Sequence, residues 1–278
     1  MRLATFRTDS GTVAARIDGD QATEIPGFAD VGALLRDPEW RARAVEASGA
    51  AFSVPEPASA GWAPVVPDPG KIVCVGLNYR NHILEMGRPL PEHPTLFAKY
   101  AEALVGPYDD IVLPNVAAEA VDWEAELAIV IGATARNLDE DEAEEAIAGY
   151  SVINDVTMRD YQYRSPEWFQ GKTFEATSPF GPVLVTPDEF ALGAVLRGEV
   201  DGETVQQTPT DDLVFGPAFL VSYISKIVTL RPGDVIATGT PGGVGHARKP
   251  ARYLTPGATL VTEVEGIGQL RNRIRAEG

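Results

Sequence analysis

The sequence predicts an α+β protein, and three observations carry that prediction. Short apolar and β-branched runs outnumber the helical patterns, the two do not alternate in regular βαβ order, and the Asp-Gly pair in EVDGETVQ marks a β-hairpin. With 278 residues, 44% of them hydrophobic, the chain can bury one large core or a large core with a small companion. The expected division is a small N-terminal α+β domain with its linker over residues 1–66 and a main domain over residues 67–278.

The N-terminal unit opens with RLATFR and TVAARI on either side of TDSG, whose residue types favour a hairpin turn. VGALLRDPEWRARAVEAS then places its apolar residues at helical spacing. SVPEPASAGWAPVVPDPG is crowded with proline and glycine and has no period, so it reads as a connector ending near residue 70. KIVCVGLNY reads as a strand and YRNHILEM as a short polar helix, stopped at Gly87 with Pro89 beyond it. VDWEAELAIVIG follows as a strand, DEDEAEEAIAGY contributes an acidic helix, and SVINDV is again a strand. PAFLVSYISKIVTL is a helix, while DVIATGT and TLVTEVEG are strands.

Composition excludes several classes of function. With 40 acidic against 23 basic residues the net charge is −17, which repels phosphate backbones and anionic lipid, so no nucleic-acid or membrane partner is expected. MRLATFRTDSG lacks the apolar stretch of a secretion signal, and no apolar run approaches the roughly 18 residues of a membrane span, so the expected location is cytoplasmic. One cysteine, Cys74, and three histidines leave no internal disulfide and no thiolate-rich metal site. A metal here would rely on oxygen ligands, which favours magnesium, manganese or calcium.

VDWEAELAIVIG, residues 121–132, carries the chemistry. On a strand Glu124 and Glu126 share one face while Ala125, Leu127, Ile129 and Ile131 share the other. Two carboxylates side by side raise each other's pKa unless a positive charge lies between them, so the segment asks for a cation. INDVTMRD supplies a third carboxylate, Asp155, 29 positions after Glu126, and three carboxylates with water can complete the octahedral oxygen shell of a hard divalent ion. The plain alternative is that the glutamates lie on the solvated face of an edge strand. The metal assignment requires Asp155 to lie beside Glu124 and Glu126, with no lysine or arginine in the space among them. Arg159, Gln162 and Lys172 are candidate donors to a substrate carboxylate or enolate oxygen, or else counter-charges on an acidic protein. His82 and Glu85 stand three positions apart on a helix, so the carboxylate can orient the imidazole as a base for water, while His93 and His246 have no such neighbour in sequence. DVIATGTPGGVGH ends a strand in a glycine-rich loop that can approach an anion, or that simply turns, and it matches neither common phosphate-binding pattern.

In order along the chain, KIVCVGLNYRNHILEMG, PTLFAKY, VDWEAELAIVIG, GYSVINDVTMRDYQ, FQGKTFEATSPFGPVLVT, GDVIATGTPGGVGHARKP and VEGIGQLRNRI resemble the fumarylacetoacetate hydrolase family from about residue 70 to the C-terminus. The resemblance implies a mixed β-sheet rolled into a barrel-like sandwich, a variable N-terminal domain and a homodimer. It implies that Glu124, Glu126 and Asp155 hold Mg2+ or Mn2+, with Ca2+ able to stand in within crystals, and that Arg159, Gln162, Lys172 and Thr240 contact a keto-acid substrate. His82 and Glu85 match an acid–base pair on a closing lid. His246 departs from the family pattern where a non-titrating residue is expected, and EATSPFGPVLVT departs from its more glycine-rich wording; both bear on substrate choice.

The expected activity is metal-dependent hydrolysis of a C–C bond in an acylpyruvate or related 1,3-diketo acid. The metal would hold the carboxylate and 2-oxo oxygen, His82 with Glu85 would activate water, and the leaving carbanion would be delocalised as a metal-bound enolate beside Lys172. Decarboxylation of oxaloacetate or isomerisation of an unsaturated oxo-diacid would run through the same enolate. A non-catalytic binder of metal and keto acids is the remaining reading.

Overall fold

A computed structural model describes residues 1–57, 59–85, 87 and 89–278, with the side chains of His82 and Glu85 outside the described set. Eleven of the described strands form one mixed sheet, five form a second, and two more make a short ladder. The large sheet runs from Ala51–Ser53 through the N-terminal hairpin to Ser178–Val185, Ile147–Asn154, Ala125–Ile131, Val235–Ala237, Ile72–Gly76 and Thr95–Lys99. Most neighbours are antiparallel, but Val235–Ala237 runs parallel to Ile72–Gly76. The architecture is α+β with mixed sheets, and no closed barrel is found among the described strands.

Alternation of side chains fixes how the layers pack. Strand Ala125–Ile131 sits between Ile147–Asn154 and Val235–Ala237, so it is interior to the sheet and buried throughout. Its Ala125, Leu127, Ile129 and Ile131 join Leu196, Val264 and Leu270 of the second sheet and Leu220, Val221 and Ile224 of helix Pro217–Ile227 in one apolar cluster. Ala128 and Val130 face the opposite cluster, with Val31, Leu34 and Leu35. Glu126 shares the parity of Ala128 and Val130, so the edge-strand alternative for the glutamate pair does not hold.

The hairpin Arg2–Thr8 and Gly11–Asp18 forms as the turn chemistry predicts. Its first strand pairs with Ser178–Val185, Arg2 opposite Val185, so the N-terminal strands continue the sheet of the main body. The helical stretch after it is split into Val31–Leu35 and Trp40–Val45. Pro38 accounts for the break: it has no N–H to donate and disfavours helical geometry at Asp37. No helix among the described residues is long and apolar enough to cross a membrane.

Candidate active site

Antiparallel pairing closes the 29-residue gap between the glutamates and Asp155. Ala125 lies opposite Asn154 and Glu126 opposite Ile153, and the Asp155 N–H donates to the Glu124 carbonyl at 2.9 Å. One carboxylate oxygen from each of Glu124, Glu126 and Asp155 then lies within 4.8 Å of the others. Asn154 locks the corner by accepting the Glu124 N–H at 3.0 Å and donating to Thr262 Oγ1 at 2.8 Å.

Of the two conditions set for the metal assignment, the first is met, with Asp155 beside the glutamates, and the second is not, because a lysine stands among the carboxylates. Lys172 Nζ lies 2.6 Å from Glu124 Oε2 and 2.8 Å from Asp155 Oδ2, bridging two of the three. Arg159 reaches Glu124 Oε1 at 2.8 Å and Asp122 Oδ2 at 2.7 Å, and its NH1 donates to Gln162 Oε1 at 2.8 Å. Lys99 Nζ is 3.0 Å from Asp155 Oδ1, donates to Ser178 Oγ at 2.8 Å and also donates to the Lys172 carbonyl. The physical reason is charge: Asp122, Glu124, Glu126 and Asp155 are each no more than 7% exposed, and buried carboxylates draw in cations.

Four carboxylates face three cations, so one negative charge is left over. It falls on Glu126, which accepts the Gly239 N–H at 2.8 Å and has no lysine or arginine at ion-pair distance among the described residues. Burial first, then Asp155 and Glu124, push the Glu126 pKa well above the usual carboxylate range. Burial acts on Asp155 in the same direction, but Lys172 and Lys99 outweigh it and bring its pKa down. Burial would lower Lys172, yet Asp155 and Glu124 more than reverse that and raise it, so Lys172 stays an ammonium. Among the described residues Asp155 Oδ1 has no well-directed hydrogen bond despite the nearby Lys99.

Two glycines let the backbone come this close. Gly239 has φ +99°, and a Cβ there would stand 2.7 Å from the Val75 carbonyl. Gly171 precedes Lys172 in the short helix Phe169–Lys172, and a Cβ on it would meet Gln162 N and Met158 O at 2.6 Å. Lys172 therefore ends a helical turn.

The cluster opens on a cavity of about 310 Å³ whose wall includes Glu124, Arg159, Gln162, Lys172, Thr240 and His246, with Phe97, Trp168, Val75 and Val244 as apolar lining. Thr240 donates its hydroxyl to the Ala125 carbonyl at 3.0 Å and accepts from Gln206 at 2.8 Å. His82 and Glu85 belong to helix Arg80–Glu85, which follows the cavity residues Gly76 and Leu77, but their side chains lie outside the described residues. Sequence reasoning missed Asp122 and Lys99. Asp122 stands two positions before Glu124 and could have been read as the same alternation continued. Lys99 had no local signal, because its partners Asp155, Lys172 and Ser178 are all distant in sequence.

The family model for the fumarylacetoacetate (FAA) hydrolase C-terminal region matches residues 71–275. The human mitochondrial oxaloacetate tautomerase is 40% identical over 252 residues, 85% of this chain and 80% of that protein. The 5-carboxymethyl-2-hydroxymuconate delta-isomerase of Mycobacterium smegmatis superposes with a TM-score of 0.80 at 34% identity, covering 100% of both chains. A Sphingobium maleylpyruvate hydrolase, solved with manganese(II) and pyruvate, superposes with a TM-score of 0.81 at 28% identity, again over 100% of both chains.

Proposed function

The chain belongs to the fumarylacetoacetate hydrolase family, and we propose that it is a divalent-metal enzyme for small enolisable 2-oxo acids, interconverting the enol and keto forms of an oxaloacetate-like substrate. The observation that carries this reading is the buried cluster of carboxylates and cations on one small cavity. The 40% identity to an oxaloacetate tautomerase favours tautomerisation among the reactions the family performs.

Lys172 takes up part of the space that the metal assignment required to be free of lysine and arginine, so the fit to a metal rests on what the cations leave over. Among the described residues Glu126 has no lysine or arginine at ion-pair distance and Asp155 Oδ1 has no well-directed hydrogen bond, and an all-oxygen donor set suits Mg2+ or Mn2+. Glu124, Glu126 and Asp155 would hold the ion, which when bound would supply Lewis-acid polarisation of the substrate's carboxylate and 2-oxo oxygens. The neighbouring solved structure with manganese(II) and pyruvate supports the same pairing of ion and 2-oxo acid.

The chain's own groups divide the remaining work. Lys172 is held protonated, so it acts as a fixed positive charge beside the enolate oxygen and not as a base. Arg159, fixed by Asp122 and Gln162, presents its guanidinium to the substrate carboxylate, with Thr240 beside it on the cavity wall. Tautomerisation moves one proton between carbon and oxygen and consumes no water, and His82 with Glu85 is the pair proposed to carry that proton.

A second reading, hydrolysis of an acylpyruvate, is favoured by the apolar lining of Phe97, Trp168, Val75 and Val244, which can receive an acyl tail. Assaying enol absorbance of oxaloacetate, diketone absorbance of acylpyruvates, and release of pyruvate and carbon dioxide separates the two. The expected result is chelator-sensitive enol decay that returns with Mg2+ or Mn2+ and yields no pyruvate. Faster release of pyruvate from acylpyruvates would select hydrolysis, and loss of carbon dioxide would select decarboxylation. No turnover of any of these substrates would refute the proposal.

A further inference from the structure

The proposed reaction leaves His246 without a task, although it lines the same cavity. Its position is set by Asp122, whose Oδ2 accepts the His246 N–H at 2.9 Å and both Nε (2.8 Å) and NH2 (2.7 Å) of Arg159. Oδ1 of the same carboxylate accepts the Gly245 N–H at 2.7 Å and the Trp123 N–H at 2.8 Å. A single fully buried carboxylate thus ties the glycine-rich loop to the guanidinium proposed to bind the first carboxylate of the substrate.

The imidazole itself is fixed from two sides. Nδ1 lies 2.9 Å from the Tyr253 hydroxyl, and the ring is tilted against Tyr163 with centroids 5.1 Å apart. In the tautomer in which the tyrosine hydroxyl donates to Nδ1, the hydrogen of the neutral ring is on Nε2 and that nitrogen is a donor. Nε2 has no protein partner among the described residues. A donor held this way beside a cavity is spare hydrogen-bonding capacity for a ligand, and an apolar acyl tail has nothing to offer it.

We propose that His246 is a specificity-determining residue, its Nε2–H receiving the second carboxylate of a 2-oxo dicarboxylic acid whose first carboxylate lies at Arg159. The inference rests on the 2-oxo-acid reading above and names the substrate class within it. The carboxylates of a small dicarboxylic acid are only a few bonds apart, which suits two donors anchored on the same Asp122. A substrate with one carboxylate and a neutral tail would use Arg159 and leave His246 idle.

The test compares kcat/KM for the enol of oxaloacetate with that for the enol of phenylpyruvate, in wild-type protein, His246→Val and His246→Gln. Loss of one hydrogen bond to a charged group predicts that His246→Val lowers the ratio of the two by about ten- to a hundredfold, mainly through KM for the diacid. His246→Gln keeps an N–H donor and should restore the ratio to within a few fold of wild type. Equal loss on both substrates would assign His246 to bracing Tyr253 alone, and an unchanged ratio in a folded His246→Val protein would also overturn the inference. Calorimetric binding of oxalate, which mimics the 2-oxo-carboxylate end of the substrate and has no second arm, separates the two levels of argument. If the wild-type protein neither binds oxalate nor turns over either enol, the functional reading fails and takes the inference with it; if it does both and the ratio ignores His246, only the inference fails.

Discussion

Replacing Lys172 with methionine separates a lysine-neutralised cluster from one that also takes a divalent ion. The ammonium contacts Glu124 at 2.6 Å and Asp155 at 2.8 Å, and all three side chains are buried. Removing one partner of a buried ion pair costs about 3–5 kcal/mol. The lower end applies here, because Arg159 still reaches Glu124 at 2.8 Å and Lys99 still lies 3.0 Å from Asp155. At about 2–4 °C per kcal/mol for a chain of this size, the metal-free variant should melt about 6–12 °C below wild type. Four buried carboxylates would then face two cations, so Mg2+ should raise the melting temperature of the variant more than that of wild type; a concentration near 100 times Kd is worth about 2.7 kcal/mol. Activity with Mg2+ should still fall by about 10²–10³, the loss typical of one preorganised donor at an oxyanion. Thermal denaturation with chelator or Mg2+, followed by the enol-decay assay, reads all three effects. If Lys172→Met melts with wild type and neither protein responds to Mg2+ or Mn2+, the account of the cluster as a metal site is wrong.

The raised pKa of Glu126 gives a pH signature. The folded metal-free chain holds that proton more firmly than the unfolded chain, so its contribution to stability is complete below the ordinary glutamate range and is lost as pH rises through the raised value. A dication binds the ionised form, so Mg2+ affinity should rise with pH and binding should release protons, as read by calorimetry in buffers of different ionisation enthalpy; no proton release would contradict the assignment of Glu126. Gly171→Ala should cost about 1–3 kcal/mol, because its Cβ would meet backbone atoms of Gln162 and Met158 at 2.6 Å and force apart the turn that carries Lys172. A melting temperature equal to wild type would show that this turn can relax freely.

The glutamate pair was legible because strand alternation is a local property: ExE next to an apolar run puts two carboxylates on one face wherever the strand lies. Asp155 could be named from its segment, but its approach to Glu124 needed the pairing of Ala125 with Asn154. Lys172 was legible as a donor, whereas its seat between Glu124 and Asp155 was not, since the sequence shows charges without showing which of them share a buried space. His246 seemed without a partner because Tyr253 and the Asp122–Arg159 pair reach it only through the folded loop.

By itself the sequence determined the α+β class, the hairpins and the family, all of which follow from residue type, short-range period and the order of segments. Tertiary structure alone decided that the N-terminal strands extend the main sheet, that Asp122 and Lys99 belong to the cluster, and that one carboxylate, Glu126, is left without a lysine or arginine partner among the described residues. The physical reason is that hydrophobic period and turn chemistry act between neighbours along the chain, while neutralising a buried charge depends on which distant segments the fold packs around it.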